Sequence, residues 1–217
     1  MNTRELRAII DGGESSTVEF KRKATTPEKI AKELSALANT KGGVILFGVD
    51  DDGKVFGIAS EKSEMDLIDT AANFHIIPVL EIEYEFAAIH GRDILVVIVP
   101  ESNSKPHKVL IYDEIQKKHL PRAYIRVGEK SVIASSEMSR LMSYQNKEND
   151  SELTLSIGDK EKRLFDYLEK YERATVVEFS NMVNISRRRA ERLLIRLVRA
   201  KVIKIHNDSH HDYFTLV

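Results

Sequence analysis

The 217-residue chain has no cysteine and no tryptophan. Without thiols it forms no disulfide, thiolate zinc site, iron–sulfur cluster or cysteine nucleophile, so any metal would rest on oxygen or histidine ligands. Long apolar runs are missing as well. The longest, Ile94 to Val99, is far short of the roughly 18–20 residues that span a bilayer. The opening MNTRELRAIIDGGE has no apolar stretch of the signal-peptide kind. These absences set the expectation of a cytoplasmic protein with no membrane partner. With 42% hydrophobic residues, only 5 prolines and 10 glycines, disordered and collagen-like readings fall away.

A large excess of either charge is also lacking: 33 basic residues face 34 acidic ones, a net charge of -1. Evenly spread, that balance would argue against nucleic acid. It is not evenly spread. From Ser151 onward 13 basic residues face 10 acidic ones, whereas the first 150 residues carry a net charge of -4.

The length suits one large domain or two small ones. Hydrophobic periodicity predicts a domain over 1–145, a polar linker over 146–154 within QNKENDSE and the residues after it, and a second domain over 155–217. In the first, Val18 and Phe20 alternate with Glu19 and Lys21, which predicts a half-buried strand with Glu19 and Lys21 on one face. Thr26 and Pro27 start a helix with Ile30, Leu34, Leu37 and Ala38 on one side, ending at Asn39-Thr40-Lys41-Gly42-Gly43. Gly43 to Val49 is continuously apolar, as in a central buried strand, and Asp50 to Gly53 turn into a short strand at Val55 to Ile58. A helix at Lys62 to Phe74, strands at Val79 to Ala88, Asp93 to Val99 and Ala123 to Val127, a loop at Pro100 to Pro106 and a closing helix near Glu137 to Tyr144 complete an α+β domain with a mixed sheet.

Beyond Lys160 the pattern is three helices, capped in the second and third by Thr175 and Ser186, and a hairpin over Val202 to Val217. This order resembles a small winged helix-turn-helix domain. Its third helix buries Ala190, Leu193, Leu194, Leu197 and Val198, and its other faces carry Arg187, Arg188, Arg189, Arg192, Arg196 and Arg199. Between Ser186 and Lys201 only Glu191 opposes six arginines and one lysine. Arginine suits phosphate and guanine contacts, and the N-terminal end of a recognition helix is the end that meets base edges. A solvated charged face is the plainer alternative. His206, His210 and His211 with Asp208 and Asp212 stand at the hairpin tip, where turn chemistry is the simpler reading than a metal site.

Three acidic positions in the first domain invite chemistry: Glu14, Glu19 with Lys21, and the Asp50-Asp51-Asp52 run. Oxygens to hold Mg or Mn and an ammonium to steady a phosphate are what a metal-dependent nuclease needs. A surface ion pair and ordinary turn chemistry account for the same residues.

The segment from Glu14 to Ser135 closely resembles the Schlafen/AlbA-like domain family. The resemblance rests on Glu14, Glu19-Phe20-Lys21, Ala38-Asn39-Thr40, Gly42-Gly43, Gly48-Val49-Asp50, Gly53 to Gly57, and Tyr124-Ile125-Arg126-Val127-Gly128. It implies an AlbA-like lobe that binds nucleic acid. In the RNA-cleaving members of the family a triad of two glutamates and an aspartate holds metal, and the motif places it on Glu14, Glu19 and Asp51. Those nucleases have two such lobes, so a homodimer of this one-lobed chain would rebuild the pair and suit a palindromic operator. ATP, with which some relatives are loosely associated, is not expected, because GGESST lacks the lysine of a phosphate-binding loop.

Three readings follow. The first is a DNA-binding transcriptional regulator that needs no cofactor, with RNA as the alternative nucleic acid. The second is a Mg- or Mn-dependent nuclease using Glu14, Glu19, Asp51 and Lys21. The third is a protein-interaction module.

Overall fold

The computed structural model describes residues 1–145, 157–207 and 212–217. The chain divides into two compact units, Met1–Ala134 and Ser135–Val217. The first reads, in order, α1 (Thr3–Gly12), β1 (Val18–Lys21), α2 (Pro27–Asn39), β2 (Gly43–Phe47), α3 (Glu61–Phe74), β3 (Ile76–Ile77), β4 (Glu83–Ile89), β5 (Arg92–Val99), β6 (Lys108–Asp113), β7 (Lys118–Val127) and β8 (Lys130–Ile133). The architecture is α+β. One four-stranded sheet has the order β1-β2-β5-β4, and a second the order β3-β6-β7-β8. The first sheet is mixed, since β1 runs parallel to β2 and the other pairs are antiparallel.

Local chemistry accounts for the helix starts. Asn2 and Glu5 form a reciprocal capping box on α1, Thr26 caps α2 with Pro27 in its first turn, and Ser60 caps α3. The continuous apolar character of β2 and β5 follows from burial on both faces. Ile45, Phe47, Leu95, Val97 and Val99 point into one core with α2 and α3. Leu46, Ile94 and Val96 point into another with Phe20 of β1 and Leu6 of α1.

Helix α1 was not among the expected elements, although it supplies the cover that this second face requires. Strand β6 and the first half of β7 also lie outside the expected strands. Val55 makes only an isolated bridge to Val49 instead of opening a strand to Ile58. The strand expected from Val79 begins at Glu83, because Leu80 and Ile82 turn into the α2–α3 core.

The second unit contains α4 (Ser136–Gln145), α5 (Asp159–Tyr171), α6 (Val176–Met182), α7 (Arg187–Arg199), and the hairpin β9 (Ile203–Asn207) and β10 (Asp212–Leu216). Helix α4 thus groups with this unit, where periodicity puts it at the end of the first domain; an ion pair between Arg140 and Glu191 ties it to α7. Thr175 and Glu178 form a capping box on α6, and Ser186 caps α7. Leu164, Phe179, Leu194, Leu197 and Phe214 are fully buried in a common core. The expected linker 146–154 and Asp208, His210 and His211 lie outside the described residues. Among the described residues, no helix is long and apolar enough to cross a membrane.

Candidate nucleic-acid interface

The motif between α2 and β2 holds the first unit together. The Asn39 amide donates to the carbonyls of His107 and Tyr124, both at 2.9 Å, and to Ser35 Oγ at 3.2 Å, while its Oδ1 accepts the His107 N–H at 2.8 Å. One buried side chain therefore pins β6 and β7 to the end of α2. Thr40 Oγ1 donates back to Ala36 O and accepts from the Arg126 N–H. A Cβ at Gly42 would lie 2.6 Å from Glu101 N and Val99 O, and one at Gly43 would overlap Thr17 O, so both positions require glycine.

Glu19 is 5% exposed, and both of its oxygens are engaged. Oε1 pairs with Lys21 Nζ, and Oε2 accepts from Arg126 Nη1 at 2.7 Å. The Arg126 side chain is fully buried; it also reaches Glu33 Oε2 and Ser131 Oγ at 3.2 Å and the Ser15 carbonyl at 2.6 Å. Burial raises the pKa of Glu33, with the Ser131 hydroxyl opposing. Burial disfavours the Lys21 ammonium, yet the adjoining Glu19 carboxylate holds its pKa above the ordinary value.

Glu14 accepts the Phe20 N–H at 2.9 Å. Burial raises its pKa against that hydrogen bond, and the charges of Glu19 and Asp51 push it further up. Glu14 is therefore within electrostatic reach of both Glu19 and Asp51. Asp51 stands exposed in a turn closed by Gly53 N–H on Asp50 O at 2.8 Å and Asp50 N–H on Lys54 O at 3.0 Å. Among the described residues, no three His, Asp or Glu side chains are placed to hold a metal ion. As arranged, the carboxylates do not fit a shared Mg or Mn, because two cationic side chains occupy Glu19.

The six arginines of α7 divide into two sets. Arg187, Arg188, Arg189 and Arg192 are exposed and make no ion pair among the described residues. Arg196 donates at 3.0 Å to Glu161, a buried acid that also caps the start of α5, and the Arg199 guanidinium lies 4.8 Å above the Tyr144 ring. Arg196 and Arg199 thus tie α7 to α5 and α4. In the hairpin, His206 bonds Thr215 Oγ1 at 2.9 Å and stacks on Tyr213, and Asp212 accepts from Asn207 and Ser135.

Sequence patterns left Glu33, Ser131 and Glu161 unmarked. Their partners are 93, 5 and 35 residues distant from them in the chain, and nothing in the local spacing of Glu33 or Glu161 sets either apart from a surface acid.

A fold with this mixed sheet and these motifs has a family. The model described as "Schlafen, AlbA_2" matches residues 14–135, more than half of the chain, and the protein belongs to that family. Among solved structures, the DIP2311 protein from Corynebacterium diphtheriae is similar at 17% identity and a TM-score of 0.44, over 66% of this chain and 27% of that one. This chain therefore spans about a quarter of that protein's length. The N-terminal domain of a RecG-related protein from Nitrosomonas europaea is similar at 23% identity and a TM-score of 0.39, over 59% of this chain and 88% of that one.

Proposed function

We propose that the protein is a DNA-binding transcriptional regulator whose C-terminal unit acts as a winged helix. In this reading α6 and α7 form the helix-turn-helix, β9 and β10 the wing, and Arg187, Arg188, Arg189 and Arg192 contact phosphates and base edges. The observation that carries it is the unpaired arginine cluster in the first turn of α7, which has no acidic residue there. The helix dipole favours acids at that end, so three adjacent cations cost stability, roughly 0.3–1 kcal/mol each. An anionic ligand reverses the sign of that cost. Membership in the AlbA_2 family, which points to nucleic-acid binding, supports the same ligand class. A homodimer would present two such helices to successive major grooves about one helical turn apart. The test is duplex DNA binding by the full chain: alanine at Arg187, Arg188 and Arg189 together weakens it, and unchanged binding would remove the reading.

The electrostatic reach of Glu14 to Glu19 and to Asp51 favours a second reading, a nuclease. As arranged, these acids do not fit a shared metal, since Lys21 and Arg126 occupy Glu19. Incubation with RNA or single-stranded DNA and Mn separates the two: the first reading expects no cleavage that depends on Glu19. Cleavage abolished by Glu19→Gln would establish the second.

A further inference from the structure

A cleft of about 200 Å³ lies between α4 and α7, within the second unit. Its α7 side is Arg192, Ile195, Arg196 and Arg199, at i, i+3, i+4 and i+7, and its α4 side is Arg140 and Tyr144, at i and i+4. Those spacings put each set on a single helix face. The α7 stripe is distinct from the one that builds the core of the unit, which runs through Ala190, Leu194 and Leu197.

Four guanidinium groups thus meet at one small space, and two buried acids answer them. Glu191 pairs with Arg140, and Glu161 pairs with Arg196 at 3.0 Å. Glu137 of α4 reaches Glu191 electrostatically but makes no ion pair among the described residues. Neither Arg192 nor Arg199 makes an ion pair among the described residues, and the Arg199 guanidinium lies 4.8 Å from the centre of the Tyr144 ring. Two of the four positive charges are therefore left without a matching acid. Like charges drawn to one cleft repel each other, and that repulsion becomes attraction when an anion enters.

An arginine fork donates two parallel N–H bonds to a phosphate or a carboxylate. Arg192 and Arg199 offer two such forks, so a ligand with two negative charges answers both. The volume is below the roughly 300–1,000 Å³ of drug-sized sites, which restricts the ligand to a compact one. The cleft reads charge and not an apolar body, since Ile195 is 3% exposed and Arg199 covers a face of the Tyr144 ring. We propose that the cleft is an effector site for a compact dianion, inorganic phosphate or a small dicarboxylate, held between Arg192 and Arg199. Because Arg192 also belongs to the proposed DNA contacts, occupancy withdraws it from the duplex and weakens DNA binding. That consequence rests on the DNA reading; anion binding by the cleft does not.

Calorimetric titration of the full chain at constant ionic strength tests the site, with inorganic phosphate, succinate and acetate as probes. Saturable binding of phosphate or succinate is expected, tighter than that of acetate, and whichever dianion binds more tightly identifies the class. Arg199→Ala weakens it by about tenfold or more, as loss of a charge-assisted contact does. Arg192→Ala does the same, so the test stands on the second variant if the first loses the unfolding temperature of the parent. With the dianion present, the affinity of the parent for duplex DNA falls by about fivefold or more, and by reciprocity DNA weakens dianion binding by the same factor. Arg199→Ala removes this sensitivity. Absence of saturable binding by either dianion, acetate binding as tightly, or affinity unchanged in both variants would overturn the site. Dianion binding that leaves duplex affinity unchanged would overturn the coupling. The titration without DNA reads the cleft alone, so a chain that binds the dianion but no duplex fails the DNA reading and not this one.

Discussion

Asn39 gives the turn after α2 its physical meaning in this chain: one amide satisfies polar groups of His107, just before β6, and of Tyr124 in β7. Removing it leaves the His107 N–H and two carbonyls buried with fewer partners. At about 1–3 kcal/mol for each buried group left unsatisfied, Asn39→Ala costs several kcal/mol, measured by chemical denaturation of the full chain. A loss below about 1 kcal/mol would show that water or a shifted backbone replaces the amide. The Asn-Thr-x-Gly-Gly motif was legible as a family mark, but its function in the fold was not. The partners of Asn39 lie 68 and 85 residues away, and one-dimensional spacing carries no such information. Arg126 was likewise visible within a motif, while its role as the buried counter-charge of Glu19 and Glu33 required coordinates.

Helix α1 shows what periodicity can and cannot deliver. The uninterrupted apolar run of β2 implies cover on both faces of the sheet, and α2 was recognisable as one cover from its stripe and caps. The other is α1, short and strongly charged, which reaches the core through the fully buried Leu6. Leu6→Ala therefore removes a core contact and costs about 2–5 kcal/mol, read as a lowered denaturation midpoint. A shift of a few tenths would mean that α1 is dispensable cover. Helix α7 was legible in its extent, its Ser186 cap and the buried Ala190, Leu194 and Leu197, although Leu193 and Val198 are only half-buried and Ile195, outside the expected stripe, is buried. The division of its arginines was not legible: spacing alone groups all six, whereas Glu161 and Tyr144 draw Arg196 and Arg199 into the packing of the unit. The carboxylates were read from family spacing as a metal set. The structure puts Glu14 within charge reach of the other two but spends Glu19 on Lys21 and Arg126, a competition that acidic spacing does not reveal.

The near-zero net charge of the chain conceals an acidic first unit and a basic second unit whose excess lies on α7. Binding of duplex DNA through that helix predicts a defined electrostatic signature, because each phosphate neutralised contributes a slope of about 0.9 in log affinity against log salt. The decisive measurement is the fluorescence anisotropy of labelled duplex DNA with the full chain across a salt series, beside the variant with alanine at Arg187, Arg188 and Arg189. Weaker binding and a slope shallower by about two to three units, with the unfolding temperature retained, is the predicted result. Equal affinity and equal slope in the two proteins would contradict the assignment of DNA binding to α7.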